Sequence, residues 1–281
     1  MKIFDFQAEF DSGTFKKDAG LNESATAQAN ENFVYESKGC SRVRTTEMLT
    51  WNPITGCTKV SAGCENCPSE VMAKRYQTMG HKRYGNGFNL TMHDEAFRDR
   101  QDFEGRHISN SCSPSDWFNE NVPYEFLDKI MDSINSYSDL RYQIITKRAE
   151  RMAEYFATRP IPKNAWLGVA IENQDVKGRI DVLREINAPV RLLSLVPLLE
   201  DLGNLDLNGI DWVIVGGESG NKARPMNPQW VMNIQKQCAE QKIPFFFEQW
   251  GAWGEDGIKR STKLNGKKLN GKIYQEMPYW Y

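Results

Sequence analysis

The chain has 281 residues, 40% hydrophobic and 26% charged, enough to bury a sizeable core in one large domain or two small ones. Lys and Arg total 35 against 37 Asp and Glu, so the formal net charge of −2 excludes a global basic field and leaves any nucleic-acid contact to a local patch. No apolar run reaches the roughly 18 residues needed to cross a bilayer, and the start, MKIFDFQAEFDSGTFKKD, lacks the basic-then-apolar order of a signal peptide. The expectation is a cytoplasmic protein with no membrane partner.

Residues 1–45 are polar and poor in aliphatics, and are read as an N-terminal extension. From there to residue 250 a short β-branched or aromatic run, a loop and a helical-period segment recur, the mark of βα units around a parallel sheet. The predicted strands are 49–54, 88–93, 106–111, 142–147, 165–172, 190–196, 211–217 and 244–250. Helices are predicted over 68–79, 94–103, 124–137, 149–158, 174–186, 198–202 and 228–241. In the third, Phe126, Leu127, Ile130, Met131 and Ile134 make one apolar face; in the last, Val231, Ile234 and Cys238 do. The pattern predicts the α/β class and a closed (β/α)8 TIM-type barrel over 46–250, with an open sheet as the alternative, because strand order is not readable from one sequence. In either architecture the residues just after each strand are the candidate site.

Residues 251–281 are Gly- and Lys-rich, and NGKKLNGKIY predicts a β-hairpin turning near Gly266 or Gly271. Lys259, Arg260, Lys263, Lys267, Lys268 and Lys272, with Tyr274, Tyr279 and Trp280, form a candidate nucleic-acid strip. The alternative is a solvated hairpin with an aromatic clasp.

Six cysteines in a cytosolic chain argue against a disulfide scaffold. Cys40, Cys112 and Cys238 are scattered and read as small buried hydrophobes. Cys57, Cys64 and Cys67 crowd into one loop, WNPITGCTKVSAGCENCPSE, spaced C-x6-C-x2-C after the first strand. Thiolates select zinc or iron–sulfur clusters, and closed structural zinc normally takes four ligands. Three cysteines can instead hold a four-iron cluster with one iron open. Pro68 suits the first position of the next helix, whose amino end favours negative charge at the loop. The competing reading is a zinc-stabilised nucleic-acid-binding or partner module, its fourth ligand His93 or His81.

The wording WNPITGCTKVSAGCENC, followed by NGFNLTMH, NENVP, ITKRAERM, WLGVAIENQ, VIVGGESG, ARPM and PFFFEQWG, resembles a phage- and bacterium-borne three-cysteine family related to radical S-adenosylmethionine enzymes with a spore-photoproduct-lyase-like barrel. The resemblance runs from about Trp51 to Pro278. It implies that Cys57, Cys64 and Cys67 bind [4Fe–4S], with S-adenosylmethionine on the open iron. One-electron reduction would then give a 5′-deoxyadenosyl radical, which abstracts hydrogen from the substrate. A reductant protein is an implied partner. The phage-type family and the lysine and aromatic tail point to a nucleic acid or nucleotide substrate, and to base modification or isomerisation of a hypermodified thymidine in DNA. A monomer is the expectation for oligomeric state.

Candidate cofactor contacts follow from the strand ends: Ser111, Thr146, Lys147, Glu172, Asn173, Gly216, Gly217 and Glu218. Many radical enzymes hold the cofactor's amino group with a Gly-Gly-Glu segment after the second strand, whereas here it follows the seventh. Its alternative reading is a tight turn with Arg224 as the ion-pair partner of Glu218. Lys147 is placed to neutralise a carboxylate, while Arg148 reads equally as the start of a solvated helix. Cys112, where related sequences have methionine, is a candidate hydrogen-atom donor. His93 is either a site histidine or a structural one. The family's usual S-x-E-P-L-L has Val196 in place of its glutamate, and its F-F-x-K-Q-W has Glu248 in place of its lysine. Glu248 is therefore a candidate catalytic residue in an altered substrate pocket.

Overall fold

In the computed structural model residues 48–97, 107–109 and 115–278 are described; the extension expected over 1–45, Ser111, Cys112, Tyr279 and Trp280 lie outside them. In chain order the elements begin with β1 (Met48–Thr50), β2 (Ile54–Thr55), α1 (Pro68–Thr78), β3 (Thr91–Met92), β4 (His107–Ser109), α2 (Tyr124–Ser136), β5 (Arg141–Thr146), α3 (Ala149–Phe156) and β6 (Ala165–Ala170). They continue with α4 (Arg179–Glu185), β7 (Val190–Leu195), β8 (Trp212–Gly216), α5 (Pro228–Gln241), β9 (Phe245–Gln249), α6 (Thr262–Asn265), β10 (Lys268–Leu269) and β11 (Lys272–Ile273).

Seven strands form one parallel sheet in the order β1-β4-β5-β6-β7-β8-β9. The order follows the sequence, and crossovers of one hand then put the helices on one face. Alternate strand residues agree. Leu167, Val169, Leu193, Leu195, Val213, Val215, Phe245 and Phe247 join the buried faces of α2 and α5 in the main core. The opposite face holds a smaller cluster of Trp166, Val190, Leu192, Trp212 and Ile214, with Phe246 and Met277 packed on it. Strand β6 is buried at every position, as a central parallel strand covered on both faces must be. Cys238 lies in the main core, and burial pushes its thiol up to about 12, which fits the small-hydrophobe reading.

The mixed α/β class stands, but a closed eight-stranded barrel is not shown. The run 49–54 splits into β1 and β2. The run 88–93 contributes only β3, which pairs antiparallel with β2 outside the main sheet. No ladder joins β1 to β9 among the described residues. The free edge of β9 is occupied instead by the returning chain. Phe247 N–H donates to Tyr274 O at 2.8 Å, Glu276 N–H donates to Phe245 O at 3.1 Å, and Phe246 bridges Gln275.

Two predicted helices also change. Residues 198–202 form none, because the amides of Leu198 and Leu199 donate to Gly216 O and Glu172 O, each at 2.9 Å. The prediction over 174–186 becomes a 3-10 turn, Gln174–Val176, followed by α4. Of 94–103, Asp94–Phe97 is a 3-10 turn and the remainder lies outside the described residues. The expected hairpin forms as β10 and β11 around Asn270 and Gly271, both at positive φ as a tight two-residue turn requires.

Asn164 ties α2 to the sheet: its buried Nδ2 donates to Ile134 O, Tyr137 O and Leu140 O at 2.9 to 3.0 Å. Leaving such carbonyls unpaired costs about 1–3 kcal/mol. Asn164→Ala is therefore expected to lower the urea midpoint with an unchanged denaturant slope; an unaltered midpoint would show that water replaces the amide.

Candidate functional site

The cysteine loop leaves β2 through Gly56, whose φ of +77° and whose approach to Asn89 allow no side chain: a Cβ there would lie 2.2 Å from Asn89 O. Cys57 N–H then donates to Phe88 O at 3.2 Å, fixing the loop to the β2–β3 ribbon. A short 3-10 turn, Ala62–Cys64, follows, and Cys67 is the N-cap of α1 with Pro68 just inside it. No side chain caps α1, so the positive end of its dipole meets the cysteine loop at Cys67. Cys57, Cys64 and Cys67 are free and half-buried. Among the described residues no three His, Cys, Asp or Glu side chains converge on a point suited to one metal ion.

Residues at the ends of three sheet strands hold this loop. Beyond β6, Glu172 is almost wholly buried and accepts from Gly63 N–H at 3.1 Å, while Arg179 donates to its other oxygen at 3.3 Å. Gly63 is tight against that carboxylate, since a Cβ there would sit 3.1 Å from Glu172 Cδ. Beyond β8, the buried Glu218 accepts from Arg224 through its backbone N–H, Nε and Nη2 at 2.8, 2.9 and 2.6 Å, and from Asn66 Nδ2 at 3.2 Å. Arg224 in turn donates to Ala62 O at 2.9 Å and pairs with Glu65 at 3.0 Å. The Glu218–Arg224 pair of the alternative reading is present, and it also reaches the loop.

The third hold is Arg148, after β5. It is buried rather than at the start of a solvated helix, and its Nη1 lies 3.9 Å from Cys57 Sγ and 3.1 Å from Asp116 Oδ2. Its Nε donates to Glu120 at 2.6 Å and its Nη2 to Thr58 Oγ1 at 2.5 Å. Thr146 Oγ1 donates to Asp116 Oδ1 at 2.7 Å, and Lys147 N–H donates to Asp116 Oδ2 at 3.0 Å. Burial and Asp116 push the Cys57 thiol up, and Arg148 opposes them. Arg148 holds Glu120 down at about 2.

The other candidates separate into two groups. Lys147, on the side of the smaller cluster by strand alternation, has no hydrogen bond or ion pair through its ammonium among the described residues. Glu248 has no partner there either, and burial raises its carboxyl. Asn173 donates to Asp175, but its buried Oδ1 has no partner among the described residues; buried Ser61 Oγ in the cysteine loop has none either. The glycines serve the fold: a Cβ on Gly217 would meet Trp250 O at 2.0 Å, and one on Gly216 would press on Val196 and Gln249 at 3.3 Å. Both proposed histidines are turned to other partners. His93 places Nε2 2.8 Å from Thr55 Oγ1 and Nδ1 3.2 Å from Glu95, while His81 accepts from Arg83 N–H and packs between Tyr76 and Tyr84. The buried His93 fits its structural reading. Asp116 and Arg179 were not found from sequence, because neither lies in a motif with chemical spacing.

A family-level match covers residues 41–278, taking in the cysteine loop, the whole parallel sheet and the C-terminal hairpin. The chain belongs to this family, described as Protein of unknown function (DUF5131). No curated protein is significantly similar to this DUF5131 chain. Among solved structures, a cysteine-to-alanine variant of spore photoproduct lyase with dinucleoside spore photoproduct is similar over 74% of this chain and 64% of its own, at 13% identity and a TM-score of 0.42. The DUF5131 chain thus spans under two thirds of that protein. The same type of variant without that addition gives 15% identity over 81% of this chain and 70% of its own, with a TM-score of 0.42. A tyrosine-to-phenylalanine variant gives 14% and 0.40 over the same shares. These likenesses are weak. No helix among the described residues is long and apolar enough to cross a membrane.

Burial works to raise the Glu218 carboxyl, but Arg224 and Asn66 outweigh it and hold it below the ordinary carboxylate value. A depressed native pKa contributes stability above the unfolded value of about 4.3 and loses it as pH falls through the native value. Urea unfolding from pH 7 to 3 is expected to show Glu218→Gln less stable than the parent at pH 7 and with a flatter acid slope. Equal slopes would assign the acid sensitivity elsewhere.

Proposed function

We propose that the DUF5131 chain is a radical S-adenosylmethionine enzyme acting on a nucleic-acid base. The observation that carries it is the cysteine loop: three half-buried thiols in one loop that is held by the ends of three parallel strands, with Cys67 at the positive end of α1. Three soft ligands with the positive end of a helix suit a [4Fe–4S] cluster, and the orphaned Ser61 Oγ leaves a polar group free beside them. The chemistry that cluster and cofactor supply when bound is reductive cleavage of a carbon–sulfur bond followed by hydrogen abstraction from the substrate.

This chain's part is to bind and orient. Cys57, Cys64 and Cys67 would ligate the cluster, while Glu172, Glu218 and Asp116 act through Gly63, Arg224 and Arg148 to keep the loop in place. Lys147 and Asn173, with an uncommitted ammonium and an uncommitted carbonyl oxygen, are the side chains free to meet the cofactor; Thr146, Gly216 and Gly217 shape the wall beside it. Glu248, uncommitted on β9, would meet the substrate, and Cys112 would return a hydrogen atom. A nucleic-acid substrate is supported by Lys263, Lys267, Lys268 and Lys272, all exposed around the C-terminal hairpin, with Lys259 over the Trp253 ring at 5.4 Å. A reductant protein would deliver the electron.

Anaerobic reconstitution is expected to load iron and sulfide, and dithionite with S-adenosylmethionine to yield 5′-deoxyadenosine by mass, abolished in Cys57→Ala. Zinc without iron, and no cleavage, would overturn the assignment. Replacing Lys263, Lys268 and Lys272 together by Glu is expected to weaken oligonucleotide binding and flatten its salt dependence; unchanged binding would remove the hairpin from the interface.

A further inference from the structure

We infer that Arg148 is a positioning residue that sets the reduction potential of the cluster through Cys57, an inference that rests on the cluster reading above. The side chain is nearly buried, and its fork is fully committed: Glu120 at Nε, Asp116 and Cys57 at Nη1, and the hydroxyl and carbonyl of Thr58 at Nη2. Thr58 is the residue next to the cysteine, and it is clasped again by Asn119 Nδ2 at 2.9 Å while donating to Glu120 at 3.0 Å. One guanidinium therefore fixes both the backbone that carries Cys57 and the electrostatic surroundings of its sulfur.

An arginine cannot give up its proton under these conditions, and its planar fork holds several acceptors in fixed geometry as a lysine cannot. Charge-assisted hydrogen bonds to a cluster's sulfur ligands, together with local net charge, are what tune its potential. The guanidinium stabilises the electron-rich reduced form, whereas Asp116 and Glu120 oppose it. Removing the cation and removing an anion must then move the potential in opposite directions. A purely structural role for the network would not produce that pair of signs.

The test is a spectroelectrochemical titration of the reconstituted full-length chain, with iron and sulfide counted per chain. Arg148→Gln is expected to make the midpoint more negative and Glu120→Gln less negative, with Arg148→Lys between the parent and Arg148→Gln. If Arg148→Gln does not fold, the exposed Glu120→Gln and the charge-conserving Arg148→Lys decide: a positive shift in the first and a smaller negative shift in the second support the inference. Parent-like midpoints in both overturn it. A parent chain that loads zinc and no cluster overturns the proposed function and this inference with it; a parent that loads a cluster insensitive to all three substitutions overturns the inference alone.

Discussion

A carboxylate taken out of water has to find donors, and Glu172 and Glu218 each find one of theirs in the cysteine loop. Each lies just beyond a parallel strand, each is almost wholly buried, and each is shared between an arginine and a main-chain or side-chain N–H of residues 63–66. Desolvating such a group without partners would cost several kcal/mol. The conformation of a loop that is otherwise short of regular structure is thereby linked to the integrity of β6 and β8. Asp116 does the same from a third direction, through Arg148.

The sheet supports this arrangement by its winding. Sequential parallel strands keep the helices on one face and leave an opposite face filled by Trp166, Trp212 and Phe246. Toward the carboxyl ends of the strands stand smaller or uncommitted residues, among them Gly216, Lys147 and Glu248.

Several of these features were legible in the residues. The cysteine loop declares itself within eleven positions, and Glu218 finds Arg224 only six residues away, so local spacing suffices for both. The α2 and α5 faces follow from helical period and are buried as that period predicts. Arg148 was not legible, because its partners Glu120, Asp116 and Cys57 stand 28, 32 and 91 residues away and its neighbours look like any solvated helix start. The strand count failed for a related reason. FNLTMH has strand composition, but composition does not say whether a run joins the main sheet or a two-stranded ribbon. The fate of the β9 edge was hidden as well, since it depends on a few backbone contacts by residues 274–276.

That edge has a consequence for biogenesis. A bare edge strand is a template for pairing with another chain, and β9 stays bare until residues 274–276 have been synthesised and have folded back on it. During translation the earlier strands can therefore pair while the last one still has an open side. The same segment is tied down from a second side, because the Trp212 indole N–H donates to Glu276 O at 2.9 Å, so covering the edge and packing the Trp212 cluster depend on one stretch of chain.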